Sequence, residues 1–322
     1  MSDSTKNHKL NNGLTIPIIG LGTTTIMGIG PAGILGNTGK KDIEKIVYQS
    51  IKNGARLIDT ASKYDNEVEV GKGIKRAIDE GIVKREDLFV VTKCGIREKK
   101  DPEEAIHNSL KKLNLEYVDL YLDHWPSGKY YGDNEEKKLE FVPVKPFWEK
   151  MEKLVEQKLT RFIGVSNYNV QNILVILSFC KIKPAVNEVE FHPYLYQKDL
   201  KEFCDKSKIK IFSYNPLVKG SYCKRHEKAI NEQKLDLFNE EIIKNLASKY
   251  NKTAGQIILN WHIHVGVIPI PGTTNPNRMK ENLGATDFNM EENEYQEISK
   301  LCEEKEFRFC DSYGIFGIDI FA

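Results

Sequence analysis

The feature that most constrains this chain is an alternation repeated eight times along its 322 residues. Short apolar, β-branched runs are each followed by a longer stretch with helical periodicity. The runs are 16–21, 56–59, 88–93, 118–122, 162–165, 185–189, 209–213 and 265–268. The helical stretches are 42–53, 67–80, 102–113, 145–157, 169–179, 198–206, 240–249 with 254–264, and 277–283. Strands separated by helices pair in parallel through crossovers. Eight such units without a compositional break predict an α/β chain: a closed (β/α)8 TIM barrel, read as a single domain over 1–322. Three pieces fall outside the repeat. Residues 8–18 carry Asn-Asn-Gly between β-like runs and predict a small N-terminal β-hairpin. Residues 127–144 form a polar, aromatic-bearing insertion. Residues 290–322 predict an extra C-terminal helix followed by an irregular loop. The 215–237 loop is also long and polar.

Charge and apolar content then exclude several functions. Lys plus Arg total 47 and Asp plus Glu total 46, a net charge of +1, so the basic excess of a nucleic-acid binder is missing. The N-terminus has no apolar h-region, and no run approaches the roughly 20 apolar residues of a membrane span. The six cysteines never form CxxC, which argues for reduced thiols and a cytoplasmic protein rather than a disulfide framework or zinc ribbon. His262-Ile263-His264 has no carboxylate or cysteine to complete a metal site, so no metal is expected. Gly28 to Gly33 fits GxGxxG, but the helical pattern starts only near Asp42, too late for a dinucleotide turn. Gly39-Lys40 is followed by Lys41, which breaks the P-loop pattern.

In a parallel barrel, functional side chains gather at the C-terminal ends of the strands. The second predicted strand ends in Asp59 and the third in Lys93. The fourth runs into His124-Trp125, the fifth into Ser166-Asn167, and the sixth carries Asn187-Glu188. The seventh leads into Tyr214, and Tyr64 follows Asp59 closely. A tyrosine with a pKa of about 10 gives up its proton poorly. A nearby ammonium lowers that value, and a carboxylate holds the ammonium in place. A histidine beside them can hydrogen-bond a substrate oxygen. Such a set suits protonation of the alkoxide formed when a carbonyl accepts hydride. No side chain supplies hydride, so a nicotinamide or a flavin is required.

Several segments carry a family resemblance. They are Gly20-Leu21-Gly22-Thr23, Leu57 to Ala61 with Tyr64, Val91-Thr92-Lys93, Asp119 to Pro126, Gly164 to Asn167, Glu190 to Tyr194 and Pro269 to Thr274. Seven spaced motifs, in order from Gly20 to Asn282, resemble the aldo-keto reductase superfamily, especially its aldose, aldehyde and xylose reductases. The resemblance implies an enzyme that reduces aldehydes or ketones with NADPH, with NADH as a weaker substitute. Carried over by position, Tyr64 is the general acid, Lys93 and Asp59 depress its pKa, and His124 orients the carbonyl. Ser166 and Asn167 bind the nicotinamide carboxamide, and Tyr214 stacks on its ring. Arg278, at the 2′-phosphate, and Asn282 hold the adenosine end. Further cofactor contacts are implied for Gly22, Thr23, Thr24, Asp59, Glu188, Asn215, Leu217, Gly272, Thr273, Thr274 and Glu281. Tyr64, His124 and Trp125 are the implied substrate contacts. The expected partner is a small carbonyl compound, and the expected state a monomer, with a homodimer as the alternative.

The chain departs from the family's pattern in four places. Thr24 replaces a tryptophan, which removes an aromatic wall of the substrate pocket. Ile268-Pro269-Ile270-Pro271-Gly272-Thr273-Thr274 replaces a run containing a phosphate-binding lysine, with Thr273 or Thr274 as substitute hydroxyl donors, which leaves NADPH preference resting more heavily on Arg278. The first loop, 26–40, is longer. Glu188 replaces a glutamine; an ionised glutamate there has only acceptors and places negative charge near the nicotinamide. Trp125, the insertion with Tyr130, Tyr131 and Phe141, and the tail around 307–316 are expected to wall the pocket. A different class of function, a cofactor-binding redox sensor or regulatory subunit, fits the same barrel; retention of all four acid-site residues favours turnover.

Overall fold

In the computed structural model, the described residues are 7–9, 15–24, 40–126, 142–218, 226–310, 312 and 320–321. Ten strands are present among them: β1 (Asn7–Lys9), β2 (Thr15–Pro17), β3 (Gly20–Gly22), β4 (Leu57–Asp59), β5 (Phe89–Cys94), β6 (Val118–Asp123), β7 (Thr160–Ser166), β8 (Val186–Glu190), β9 (Lys210–Tyr214) and β10 (Ile268–Pro269). Strands β3 to β10 form one all-parallel sheet in sequential order. A parallel bridge between Gly22 and Gly272 joins its two edges and closes the barrel. The seam requires glycine: a Cβ on Gly22 would sit 2.6 Å from the Ile270 carbonyl oxygen.

Helices α1 (Lys40–Lys52), α2 (Glu67–Asp79), α3 (Pro102–Leu113), α4 (Val144–Glu156), α5 (Val170–Leu177) and α6 (Lys198–Ser207) follow β3 to β8 in turn. After β9 come α7 (Glu227–Gln233), α8 (Glu241–Tyr250) and α9 (Ala254–His264), and after β10 comes α10 (Pro276–Leu283). The tail adds α11 (Glu292–Ser299) and α12 (Leu301–Glu304). Local chemistry explains where the best-predicted helices begin. Asp101 caps α3 by accepting from the Glu104 amide, with Pro102 at the first helical position, and Thr253 with Gln256 forms a capping box on α9.

Alternation along the strands sorts the core into two layers. Leu57, Phe89, Val91, Leu120, Leu122, Phe162, Val186 and Phe212 fill the barrel. Ile58, Val90, Tyr121, Ile163, Val189 and Ile211 belong to the outer layer beneath the helices. Ile16 joins the inner cluster. The run 16–21, expected to be one strand, is therefore two pieces. Thr15–Pro17 pairs antiparallel with Asn7–Lys9 as the hairpin, a bend intervenes, and only Gly20–Gly22 enters the barrel. Pro17 cannot donate to a ladder, so the chain breaks there and Ile16 is free to plug the inner cluster. The last strand also shifts from 265–268. Val265 and Val267 donate back to α9 at Trp261 and His262, and Gly266 turns with φ +79°, so pairing starts at Ile268. The long first loop, the GxGxxG stretch and the 127–141 insertion lie outside the described residues.

Candidate active site

Because all eight barrel strands run the same way, their C-terminal ends open on one rim. A cavity of ≈ 580 Å³ sits there. Asp59 ends β4, and Tyr64 closes the single 3-10 turn that follows it. Lys93 lies in β5, His124 and Trp125 leave β6, Ser166 ends β7, and Glu188 lies in β8. Tyr214 ends β9.

Lys93 is the centre of the site and is fully buried. Its ammonium donates to both Asp59 oxygens at 2.8 and 2.6 Å, to the Thr60 carbonyl at 3.0 Å and to the Tyr64 hydroxyl at 3.4 Å. Glu188 Oε1 stands 3.2 Å from the same nitrogen. Burial pulls the Lys93 pKa down, but Asp59 and then Glu188 outweigh it, so the ammonium stays charged. Two carboxyls thus face one cation. Burial, then the charge of Asp59, pushes Glu188 up to about 8 against the pull of Lys93. Glu188 is mostly protonated at neutral pH, and the expectation of an ionised glutamate beside the nicotinamide is corrected. Its Oε2 is buried with no hydrogen-bond partner.

The expected depression of the Tyr64 pKa is also corrected. Lys93 does draw it down, as does a hydrogen bond with the Thr24 side chain, but burial dominates, Asp59 and Glu188 add to it, and the phenol is pushed up to about 12. Tyr64 therefore carries its proton throughout the neutral range. Thr24, where an aromatic wall was missed, instead supports the acid directly. His124 meets Tyr64 edge-on with ring centroids 5.7 Å apart. Burial, then Lys93, Lys63 and Lys99, hold its pKa well below the ordinary value, so it is neutral. Behind it, Asp123 takes Lys99 at 2.8 Å and the Tyr168 hydroxyl at 2.6 Å, and Lys99 also donates to the Trp125 carbonyl at 2.6 Å. These bonds fix the short segment that presents the imidazole.

On the next wall, the Ser166 hydroxyl donates to the Glu188 carbonyl at 2.8 Å. The Asn167 amide donates to the His124 carbonyl at 3.0 Å and accepts from the Tyr214 hydroxyl at 2.7 Å. Asn167 and Asn215 adopt φ of 64° and 52°, which asparagine tolerates better than most residues. The cavity runs on past Asn215 and Leu217 to Gly272, Thr273, Arg278, Glu281 and Asn282. There Thr253 donates to the Glu281 carboxylate at 2.7 Å, and Arg278 is exposed. Gly22, Thr24 and Trp125 also line it. Thr23 and Thr274 do not. Thr23 is buried with its hydroxyl unpartnered, and Thr274 is exposed. Sequence reasoning missed Pro216, Phe238 and Gly255 in the lining, whereas Cys310 comes from the tail expected to wall it. Phe238 and Gly255 come from segments that only the fold brings to the rim, and nothing local marks them.

The tail behaves differently from its expected role as an aromatic wall. Phe321 approaches Trp125 with centroids 6.4 Å apart, but Phe309 is buried and packs on His192 and His226. Glu190 fastens this segment. Its carboxylate accepts from the Phe309 and Cys310 amides at 3.2 and 2.8 Å and from the Asn215 side chain at 3.0 Å, and it meets His192 at 3.2 Å. Tyr130, Tyr131, Phe141 and most of 311–319 lie outside the described residues.

An elongated cavity, with a proton-donating cluster at one end and a guanidinium at the other, fits a dinucleotide. An orphaned polar atom supports that fit: Glu188, which lines the cavity, has its Oε2 buried without a partner. No described helix is long and apolar enough to cross a membrane.

Comparison with known proteins agrees with the geometry. The aldo/keto reductase family matches residues 18–303. Aldose reductase B of Dictyostelium discoideum is 36% identical over 336 aligned positions, covering 100% of both chains. The NADH-dependent D-xylose reductase of Candida parapsilosis is 36% identical, covering 98% of this chain and 97% of that one. The crystal structure of a Bombyx mori aldo-keto reductase in complex with NADP superposes with a TM-score of 0.85 at 33% identity, covering 96% of each chain.

Proposed function

The chain belongs to the aldo/keto reductase family, and from that premise we propose how its residues divide the work. It is an NADP(H)-dependent oxidoreductase that reduces a small carbonyl compound to an alcohol by hydride transfer. The observation that carries the residue assignment is the meeting of Tyr64, Lys93, Asp59 and His124 at one end of the cavity.

The reduced nicotinamide, when bound, supplies the hydride. Ser166, Asn167, Glu188 and Tyr214 would hold that end, and Arg278, Glu281 and Asn282 the adenosine end, with Gly22, Thr24, Asn215, Leu217, Gly272 and Thr273 between them. Tyr64 keeps its proton on Oη until negative charge develops on the substrate oxygen. A neutral His124 can donate one N–H to that oxygen without adding charge. Lys93 stabilises the phenolate left behind, and Asp59 holds Lys93 in place. Burial of Lys93, Asp59 and His124 beside the half-buried Tyr64 keeps these interactions strong because water screens them little.

The remaining assignments are a single domain over 1–322, a monomer and a cytoplasmic location; the cysteines among the described residues are all free, which fits a reducing compartment. Trp125 and Cys310 at the substrate end favour carbonyl compounds with an apolar side. Loss of NADPH absorbance with a panel of aldehydes and ketones tests the reading. Tight cofactor binding without turnover of any panel member would favour the redox-sensor alternative instead.

A further inference from the structure

Asp59, Lys93 and Glu188 form a closed group: two carboxyls and one ammonium, each almost wholly withdrawn from water. Full ionisation would leave a net negative charge buried there, and a shared proton removes it. Geometry says which carboxyl keeps the proton. Asp59 engages Lys93 through both oxygens at 2.8 and 2.6 Å, whereas Glu188 reaches it through one at 3.2 Å. Asp59 is the carboxylate and Glu188 the acid. The second Glu188 oxygen has no partner, and the side chain lines the cavity.

Other groups surround it on every side. Tyr64 and His124 stand on the turns after β4 and β6, and both are neutral. From β7, the Ser166 hydroxyl and the Asn167 amide N–H bind the Glu188 carbonyl, not its carboxyl. Tyr214 stands on β9. Lys93 is the cation in this group, and it is already matched by Asp59.

We propose that Glu188 stores the proton of the resting site and releases it when positive charge enters the cavity, so that NADP⁺ binding expels a proton and NADPH binding does not. This rests on the cofactor reading above. The nicotinamide ring is cationic when oxidised and neutral when reduced. A cation beside Glu188 favours its ionised form.

The same store completes the acid's cycle. Tyr64 passes its Oη proton to the substrate oxygen, forming the product O–H bond. Lys93, 3.4 Å away, restores the phenol, and Glu188, 3.2 Å from Lys93, restores the ammonium. One proton leaves Glu188 and one arrives on the product, with no electrons moved among these groups. The new carboxylate then faces the positive charge that hydride departure creates. Glu188 is a positioning and proton-holding residue; Tyr64 remains the acid.

The test is titration calorimetry of NADP⁺ and of NADPH at pH 7, each in two buffers of different ionisation enthalpy, on wild type and Glu188→Gln. The heats give the protons released per cofactor bound. Titration of the 2′-phosphate is common to both cofactors and cancels in their difference. Wild type should release about one proton more with NADP⁺ than with NADPH, and Glu188→Gln should erase that difference. Equal release with both cofactors in wild type, or a difference that survives in Glu188→Gln, overturns the proposal. The wild-type difference decides even if the variant does not fold. If neither cofactor binds, the cofactor reading itself fails, and this inference falls with it.

Discussion

Two glutamates, two residues apart on β8, meet opposite fates. Glu188 and Glu190 are both buried, at 2% and 0% exposure. Around Glu190 the chain gathers His192 first, then donors from the β9 loop and the tail, so burial, which would raise its pKa, is overcome, and the carboxyl stays ionised. Around Glu188 the chain provides half of one ammonium and a competing carboxylate, and the proton stays on. Burial alone therefore does not decide ionisation; the supply of donors does. The Glu190 region is saturated and holds the tail to the barrel. The Glu188 region is left short of partners, and that shortage keeps it responsive to what enters the cavity.

The largest effect should come from the unsaturated side. Tyr64→Phe removes the atom assigned to protonate the substrate oxygen and should lower the carbonyl reduction rate roughly 10²–10⁴-fold. Cofactor affinity, followed by fluorescence titration, should stay near wild type. A Phe variant with more than half the wild-type rate would remove Tyr64 from its role.

On the saturated side, Glu190→Gln should reduce stability rather than chemistry first. An amide places N–H donors against the Phe309 and Cys310 amides, at a cost of about 3 kcal/mol, read as a lower denaturation midpoint. An unchanged midpoint would mean that the tail is fastened by something other than Glu190.

Arg278→Ala should come next. It should weaken NADPH binding by about 1.5–3 kcal/mol and leave NADH binding nearly unaltered, because the lost contact is to a phosphate that NADH lacks. Equal weakening of both cofactors would show that Arg278 does not meet the phosphate.

The smallest effect sharpens the contrast between the two glutamates directly. The folded pKa of Glu188 is raised from 4.5 to about 8, so the unfolded chain loses this proton first as pH rises. Stability should fall from about pH 5 to pH 8 on its account. Glu190 has the opposite sign: its contribution is present above the ordinary carboxylate range and fades as pH drops through its lowered folded value. Glu188→Gln should thus gain on wild type as pH rises from 5 to 8, with Asp59 sharing the titration. Parallel stability curves for the two proteins would rule out a proton on Glu188.

The repeat, the closed barrel and the rim can be read from local pattern alone. Those follow from short-range patterns: period-2 and period-3.6 runs, caps such as Asp101 and Thr253, and the rule that parallel strands end together. Asp59, Lys93, His124, Ser166 and Glu188 were legible because each closes or nearly closes a strand. The split at Pro17 was not, because an unbroken apolar run hid which residues plug the barrel and which pair in it. Nor could the sequence say what the rim groups would do to one another. Lys93 and Asp59 are 34 residues apart, and their contact, with Glu188 as third member, exists only after closure. The direction of the Tyr64 shift, the proton on Glu188 and the ionised Glu190 depend on distances of a few ångströms and on exclusion of water. Both are properties of tertiary packing, because charge interactions and desolvation act through space and not along the chain.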